Sequence, residues 1–300
     1  MRFDVQLFGL PATEYTQLAC HAERLGFDTV WLADHVVTPA RYARIYPYRR
    51  SGDPGIRPST PLVDVLVTLG HLAARTSRIR LGTGVLIAPL RDPFLIARAW
   101  ASLQQLSAGR AVLGVGVGWM AEEFAALGVD FTTRGARTDE LLRVLDLLWS
   151  GQPVAHHGRF FAFPTVHFGP PPHPPVPVVV GGHSPAALRR AARHGSGWFG
   201  PDVDLATSAR LCRQIDELRE RSGAGGPFTH HVRLAGEISV AAAEAYRDAG
   251  LEHLVVAPFT RLPAGATAAD RRAALDSVAE RLAPLWPDSH PVGTTGRDSS

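Results

Sequence analysis

The sequence predicts an α/β fold, a single (β/α)8 TIM barrel, and three observations carry that expectation. Eight short apolar strand-like runs are spread over roughly 280 residues, and helical periodicity fills the gaps between them. No internal repeat is visible beyond that alternation. At 45% hydrophobic and 20% charged residues, the chain can also bury a substantial core.

The first run, residues 3–8, alternates as a strand and follows the initial methionine without the apolar stretch of a signal peptide. Tyr15, Leu18, Ala19, Ala22 and Leu25 then fall on one helical stripe. The second run, residues 28–33, delivers Asp34 and His35. Residues 38–60, with Tyr42, Tyr46, Tyr48, several arginines, Pro54 and Pro58, form an insertion too long for an ordinary βα loop. They are expected to make a lid over the strand ends. The third run, residues 79–87, carries Gly82 and Gly84.

The fourth run, residues 111–117, is the most informative. Glycines at 114, 116 and 118 leave one strand face bare, because strand side chains alternate with a period of two. The bare face makes room either for something flat to lie against the backbone or for a barrel interior to close. Trp119 and Glu122-Glu123-Phe124 follow, as a loop-to-helix turn whose acids also suit the helix dipole. Leu141, Leu145 and Leu148 mark the helix after Arg134. Residues 151–177 form a second insertion, a short hairpin from His156 to Val166 followed by a proline-rich segment that cannot be helical.

The fifth run, residues 176–180, leads into Gly181, Gly182, His183, Ser184 and Pro185. Ser184 suits a helix N-cap and Pro185 the first turn. Glycines ahead of a helix N-terminus leave backbone N–H groups free for a phosphate, although an ordinary tight βα turn has the same pattern. Runs at 196–199, 231–238 and 253–257 complete the eight, with Leu205, Ala209, Cys212 and Ile215 on a helix between the first two of them. One domain is expected over 1–286, with 287–300 a polar, disordered tail.

Composition excludes several chemistries. All 31 basic residues are arginine, so no Schiff-base aldolase, lysine-anchored pyridoxal phosphate enzyme or lysine-dependent phosphate loop can be built. The net charge of +3 is scattered, which argues against nucleic acid as a partner. Cys20 and Cys212 sit apart on helical patterns and imply neither a disulfide framework nor zinc. His156-His157 and His230-His231 place their rings on opposite strand faces, so no metal site is expected. No run approaches the length of a membrane span, and a cytoplasmic protein is expected.

Taken together, the motifs resemble the luciferase-like monooxygenase superfamily, in its branch of oxidoreductases that use the deazaflavin coenzyme F420. The resemblance rests on the order of Ala33-Asp34-His35, Leu81 to Val85 with Arg91-Asp-Pro93, Leu103 to Ser107 with Gly109-Arg110, and the Gly114–Trp119 strand. It continues through Glu123-Phe124, Arg134-Gly135, Thr138-Asp-Glu140, Val180-Gly-Gly182 and Gly197-Trp198. It implies that Asp34 contacts the cofactor and that His35 donates or accepts a proton beside the hydride-transfer site. A non-proline cis peptide at Gly84-Val85 would back the ring, with Val117 and Gly118 along it and Glu122 near the ribityl chain. Gly181, Gly182 and Ser184 would hold the phosphate. Sugar-phosphate dehydrogenases of the superfamily carry an acid where this chain has Trp119 and recruit lysines, which it lacks. An apolar or aromatic pocket walled by Trp119, Tyr42 and Tyr46 is expected instead, for a small-molecule substrate. The superfamily's habit of forming dimers makes a homodimer an expectation too. Two rival readings are a monooxygenase using reduced flavin mononucleotide (FMN) and a non-catalytic flavin- or deazaflavin-binding protein.

Overall fold

The computed structural model describes residues 1–43, 45–48, 51–200, 202–251, 253–263 and 265–287, so nearly all of the expected polar tail lies outside the described residues. The chain folds into a closed parallel barrel. Its strands are β1 (Arg2–Leu7), β2 (Thr29–Leu32), β3 (Arg80–Thr83) with β4 (Leu86–Ile87), β5 (Ala111–Gly116), β8 (Val178–Gly181), β9 (Gly197–Gly200), β10 (Thr229–Arg233) and β11 (His253–Val256). Each pairs in parallel with its neighbours, and β3 with β5 and β11 with β1 close the ring. The hairpin of the second insertion is β6 (Pro153–His157) with β7 (Ala162–His167), outside the barrel.

Helices α1 (Glu14–Leu25), α2 (Val65–Arg75), α3 (Pro93–Leu106), α4 (Ala121–Ala126), α5 (Arg134–Leu148), α6 (Pro185–His194), α7 (Leu205–Ser222), α8 (Val240–Asp248) and α9 (Ala268–Leu282) form the outer layer. Their starts follow from side chains that accept the first free backbone N–H groups: Asp64, Asp92, Asp204 and Ser239, and Ser184 for α6 as its sequence predicts. The α1 stripe is buried at Tyr15, Leu18, Ala19 and Ala22. Cys212 is buried, whereas Cys20 is half-buried, its thiol donating to the Arg75 carbonyl. Phe3 and Phe27 meet Trp286 edge-on at 4.9 and 5.5 Å, which ties the end of the chain under the first strand. No described helix is long and apolar enough to cross a membrane.

The strand expected over 79–87 is broken in two, and the break explains the glycines of β5. At Gly114 a Cβ would stand 1.7 Å from the Thr83 carbonyl oxygen, and at Gly116 it would stand 2.5 Å from a Val85 methyl. At Gly118 it would meet Phe124 and Ile87 at 2.7 and 2.8 Å. The Thr83 hydroxyl donates to the Gly114 carbonyl at 2.7 Å and accepts from its N–H at 3.1 Å. The bare face of β5 is therefore occupied by the bulge between β3 and β4, so the glycines serve the closing of the barrel directly and a ligand only through the bulge.

Inside the barrel, Trp31, Val112, Val179, Phe199 and Val255 form a compact apolar layer. Next to it, Asp4 Oδ2 accepts from Trp31 Nε1 at 3.0 Å and pairs with His231 Nδ1 at 2.7 Å. With His253 these groups fall within 4.8 Å of one another, a potential ligand set that adjacent-pair reasoning missed because its members come from three strands. Asp4 Oδ2 is already shared by two donors, while Asp4 Oδ1 and His253 Nδ1 are buried without a hydrogen-bond partner.

Candidate active site

A cavity of about 700 Å³ opens at the carboxyl ends of the strands, where barrels of this kind gather their chemistry. Its floor is the bulge. The Gly84–Val85 peptide is cis, as the resemblance implied. The Gln6 amide donates to the Gly84 carbonyl at 2.8 Å while its oxygen accepts from Arg233, so two strands hold the bulge in place. Val85 reaches across to β5 and β8, where a Cβ at Gly116 or Gly181 would collide with it.

Asp34 and His35 leave β2 side by side and do different work. Asp34 lines the cavity but is only 4% exposed, and both oxygens are engaged by Arg91 at 2.9 and 3.1 Å, one also by the Ile87 N–H at 3.0 Å. Burial pushes its carboxyl up and the Arg91 guanidinium opposes that shift. Asp34 thus ties the end of β2 to the chain leaving β4 while lining the cavity in which the resemblance places its cofactor contact. His35 faces the cavity, with Nδ1 2.8 Å from Glu123 Oε2. Glu123 is fully buried, and its Oε1 accepts from the Val36 N–H at 2.7 Å and the Val37 N–H at 3.4 Å. A carboxylate holding two backbone donors accepts from the ring as well, so Nδ1 carries the proton and Nε2 is the free atom.

The two acids of α4 divide their roles in a way the sequence did not reveal. Glu122, expected near a ribityl chain, does not line the cavity; its Oε1 accepts from the Ala43 N–H at 2.8 Å and pins the first insertion. Tyr42 is corrected likewise. Its hydroxyl donates to the Ile56 carbonyl and its ring backs Trp119 at 6.1 Å, outside the cavity. The wall is Trp119, Tyr46 and Tyr48, with ring centroids 5.2 Å apart at each step, and Trp119 also meets His35 edge-on at 6.0 Å. Val117 and Gly118 line the same wall. The insertion 38–60 therefore lies over the strand ends as a lid.

Gly181, Gly182 and Ser184 line the far end of the cavity, where α6 begins. Gly182 has φ +113° and its carbonyl accepts from Trp198 Nε1 at 2.7 Å, which fixes the turn. The Ser184 hydroxyl accepts from the Ala187 N–H at 3.2 Å, so its first task is the cap. Two groups at this cavity are buried without a partner, His183 Nδ1 and Arg134 Nε. Burial pushes the His183 pKa down, which keeps the ring neutral. Neither Glu123's pairing nor the burial of His183 Nδ1 is legible along the chain, because burial of one acid or histidine among several depends on long-range packing.

The comparisons with known proteins agree with this geometry. The model of the luciferase-like monooxygenase family matches residues 6–289. An uncharacterized protein of Mycobacterium tuberculosis is 34% identical over 88% of this chain and 92% of its own. An F420-dependent glucose-6-phosphate dehydrogenase of Kineococcus radiotolerans is 36% identical over 68% of this chain and 58% of its own. Among solved structures, the monooxygenase RslO1 from Streptomyces bottropensis superposes with a TM-score of 0.77 at 20% identity, covering 96% of this chain and 100% of that one. An F420-dependent secondary alcohol dehydrogenase does so with 0.77 at 17%, covering 95% and 99%. Those two share the fold. With the match running from the first strand past the last helix, the chain belongs to the luciferase-like monooxygenase family.

Proposed function

We propose that the protein is a coenzyme F420-dependent oxidoreductase that moves hydride between the deazaflavin and a small organic substrate, with His35 as proton donor or acceptor. The observation that carries this reading is the His35–Glu123 pair, which leaves one imidazole nitrogen free at a cavity floored by the Gly84–Val85 bulge. The relatives named as F420-dependent dehydrogenases support the choice of cofactor.

The residues present fit such a group. The bulge, Val117 and Gly118 offer a surface along one side of the cavity, Gly181, Gly182 and His183 line its far end, and His183 Nδ1 and Arg134 Nε are buried without a partner. When bound, a deazaflavin supplies a carbon that accepts or gives hydride, in place of the flavin nitrogen that supports oxygen chemistry. The chain's own contribution is orientation and a proton. For an alcohol, the carbon gives up hydride and His35 Nε2 takes the hydroxyl proton, leaving a carbonyl; for a C=C, C=N or C=O the same nitrogen returns the proton. Trp119, Tyr46 and Tyr48 exclude water and present aromatic faces. That wall, and the absence of lysine, favour an apolar or aromatic substrate over a sugar phosphate.

A fluorescence titration of the purified protein with the deazaflavin coenzyme and, in parallel, FMN tests the reading. Low-micromolar binding of the deazaflavin alone is expected. Preference for FMN would make the protein a flavin monooxygenase, and binding of neither would overturn the assignment of the cavity.

A further inference from the structure

The first insertion does more than roof the substrate wall. Tyr48 crosses the cavity to the α6 end, where its ring lies 5.0 Å from that of His183 and its hydroxyl stands 3.7 Å from where a Cβ on Gly182 would be. Burial pushes the Tyr48 phenol up to about 12, so it stays protonated and able to donate. Among the described residues the hydroxyl has no hydrogen-bond partner, in contrast to Tyr42, whose hydroxyl is taken by Ile56. The phenol is half-buried and faces the cavity, and beside it His183 Nδ1 is buried without a partner, which carries an unmet desolvation cost. An anion seated on the Gly181–Gly182 turn would be within reach of the Tyr48 hydroxyl, with His183 and Arg134 lining the same cavity.

We propose that Tyr48 donates its hydroxyl to the cofactor phosphate, which makes the insertion part of the cofactor site. This rests on the cofactor reading above. Tyr46, two residues earlier, packs on Trp119, so seating the phosphate under Tyr48 also sets the substrate wall.

The test compares Tyr48→Phe with the unaltered protein against two ligand pairs: the deazaflavin coenzyme and its phosphate-free ribityl form, and FMN and riboflavin. Removing one hydrogen bond to a charged acceptor is expected to weaken the phosphorylated deazaflavin about ten- to a hundredfold and to leave the phosphate-free form unchanged. The same selective loss seen with FMN alone keeps the Tyr48–phosphate contact and moves the cofactor assignment to flavin. Equal weakening of both members of a pair would reduce Tyr48 to packing and overturn the proposal. Unaltered affinity for all four would overturn it as well, and so would failure of the unaltered protein to bind any of them.

Discussion

Replacing Glu123 by Gln probes the proposed mechanism at the residue where tautomer, position and burial meet. The side chain is fully buried and serves three donors: His35 Nδ1 at 2.8 Å and the N–H groups of Val36 and Val37 at 2.7 and 3.4 Å. Truncation to Ala would strand all three, at about 1–3 kcal/mol for each buried donor left unpaired, and the loop after β2 would not hold. Gln keeps the volume and one acceptor. Its carbonyl must face Val36 and Val37, so its NH₂ faces His35, and Nδ1 has to become an acceptor. The ring proton then moves to Nε2, the atom assigned to the substrate. A base already carrying its proton cannot take another, so turnover in the oxidising direction is expected to fall by a factor on the order of 10²–10⁴, the range that general acid–base groups contribute. Two measurements check this: the rate of deazaflavin reduction, and the ¹⁵N shifts of His35, which distinguish the two tautomers without any substrate. A variant with the Nε2–H tautomer and an unchanged rate would remove His35 from the proton step. An unchanged tautomer would refute the geometry itself.

Other outcomes follow from single residues. His35→Ala should lower turnover by a factor on the order of 10²–10⁴ with little change in cofactor affinity, since the backbone at 34–37 is held by Asp34 and Glu123; steady-state kinetics beside the fluorescence titration separates the two. Gly114→Ala should cost about 3 kcal/mol or more in a denaturant melt, because its Cβ would overlap the Thr83 carbonyl, whereas Gly70→Ala, in the open middle of α2, should gain about 0.5–1 kcal/mol. Glu140 accepts from the N–H groups of Arg159, Phe160 and Phe161 and pairs with His156. Burial alone would raise its pKa, but these bonds outweigh it and hold the carboxyl below its ordinary 4.5. A depressed folded value stabilises above the unfolded one and is lost as pH falls through it, so Glu140→Gln should flatten the loss of stability below about pH 4.5, as read by circular dichroism across an acid titration.

Much of the barrel was legible in the sequence because parallel strands buried on both faces read as short apolar runs, and the outer helices as stripes. What the sequence blurred was local. Residues 79–87 look like one strand, since nothing in their composition marks the bulge that splits them. The run expected over 231–238 ends at Arg233, with Gly236 at φ +77° just beyond. The hairpin was placed within a few residues, because the prolines after it allow no other element. At the site, position along the chain showed which residues arrive at the strand ends but not which way each side chain turns. Asp34 and His35 are neighbours, yet one is spent on Arg91 and the other turns its ring to the cavity. Glu122 and Glu123 are neighbours too, and only packing decides that the second reaches His35 while the first holds the lid.

That division shows how the barrel makes a reactive centre from ordinary parts. The bulge must sit where it does for the cavity to have its floor, and it can sit there only because β5 gives up two side chains, at Gly114 and Gly116. The residues around the floor then split into those that fix it and those left with an open valence. Asp34, Gln6 and Thr83 spend their hydrogen bonds on the bulge or its flanks. At the cavity, His35 and Tyr48 turn polar atoms to the open space, and His183 Nδ1 and Arg134 Nε are buried without a partner. On the proposed reading they fall into two groups: the His35 nitrogen beside the floor, for a proton, and the Tyr48 hydroxyl with the His183 ring by the turn where α6 begins, for an anion. Their separation into a proton-transfer end and an anion-holding end is what a phosphate-tethered redox ring requires of its protein.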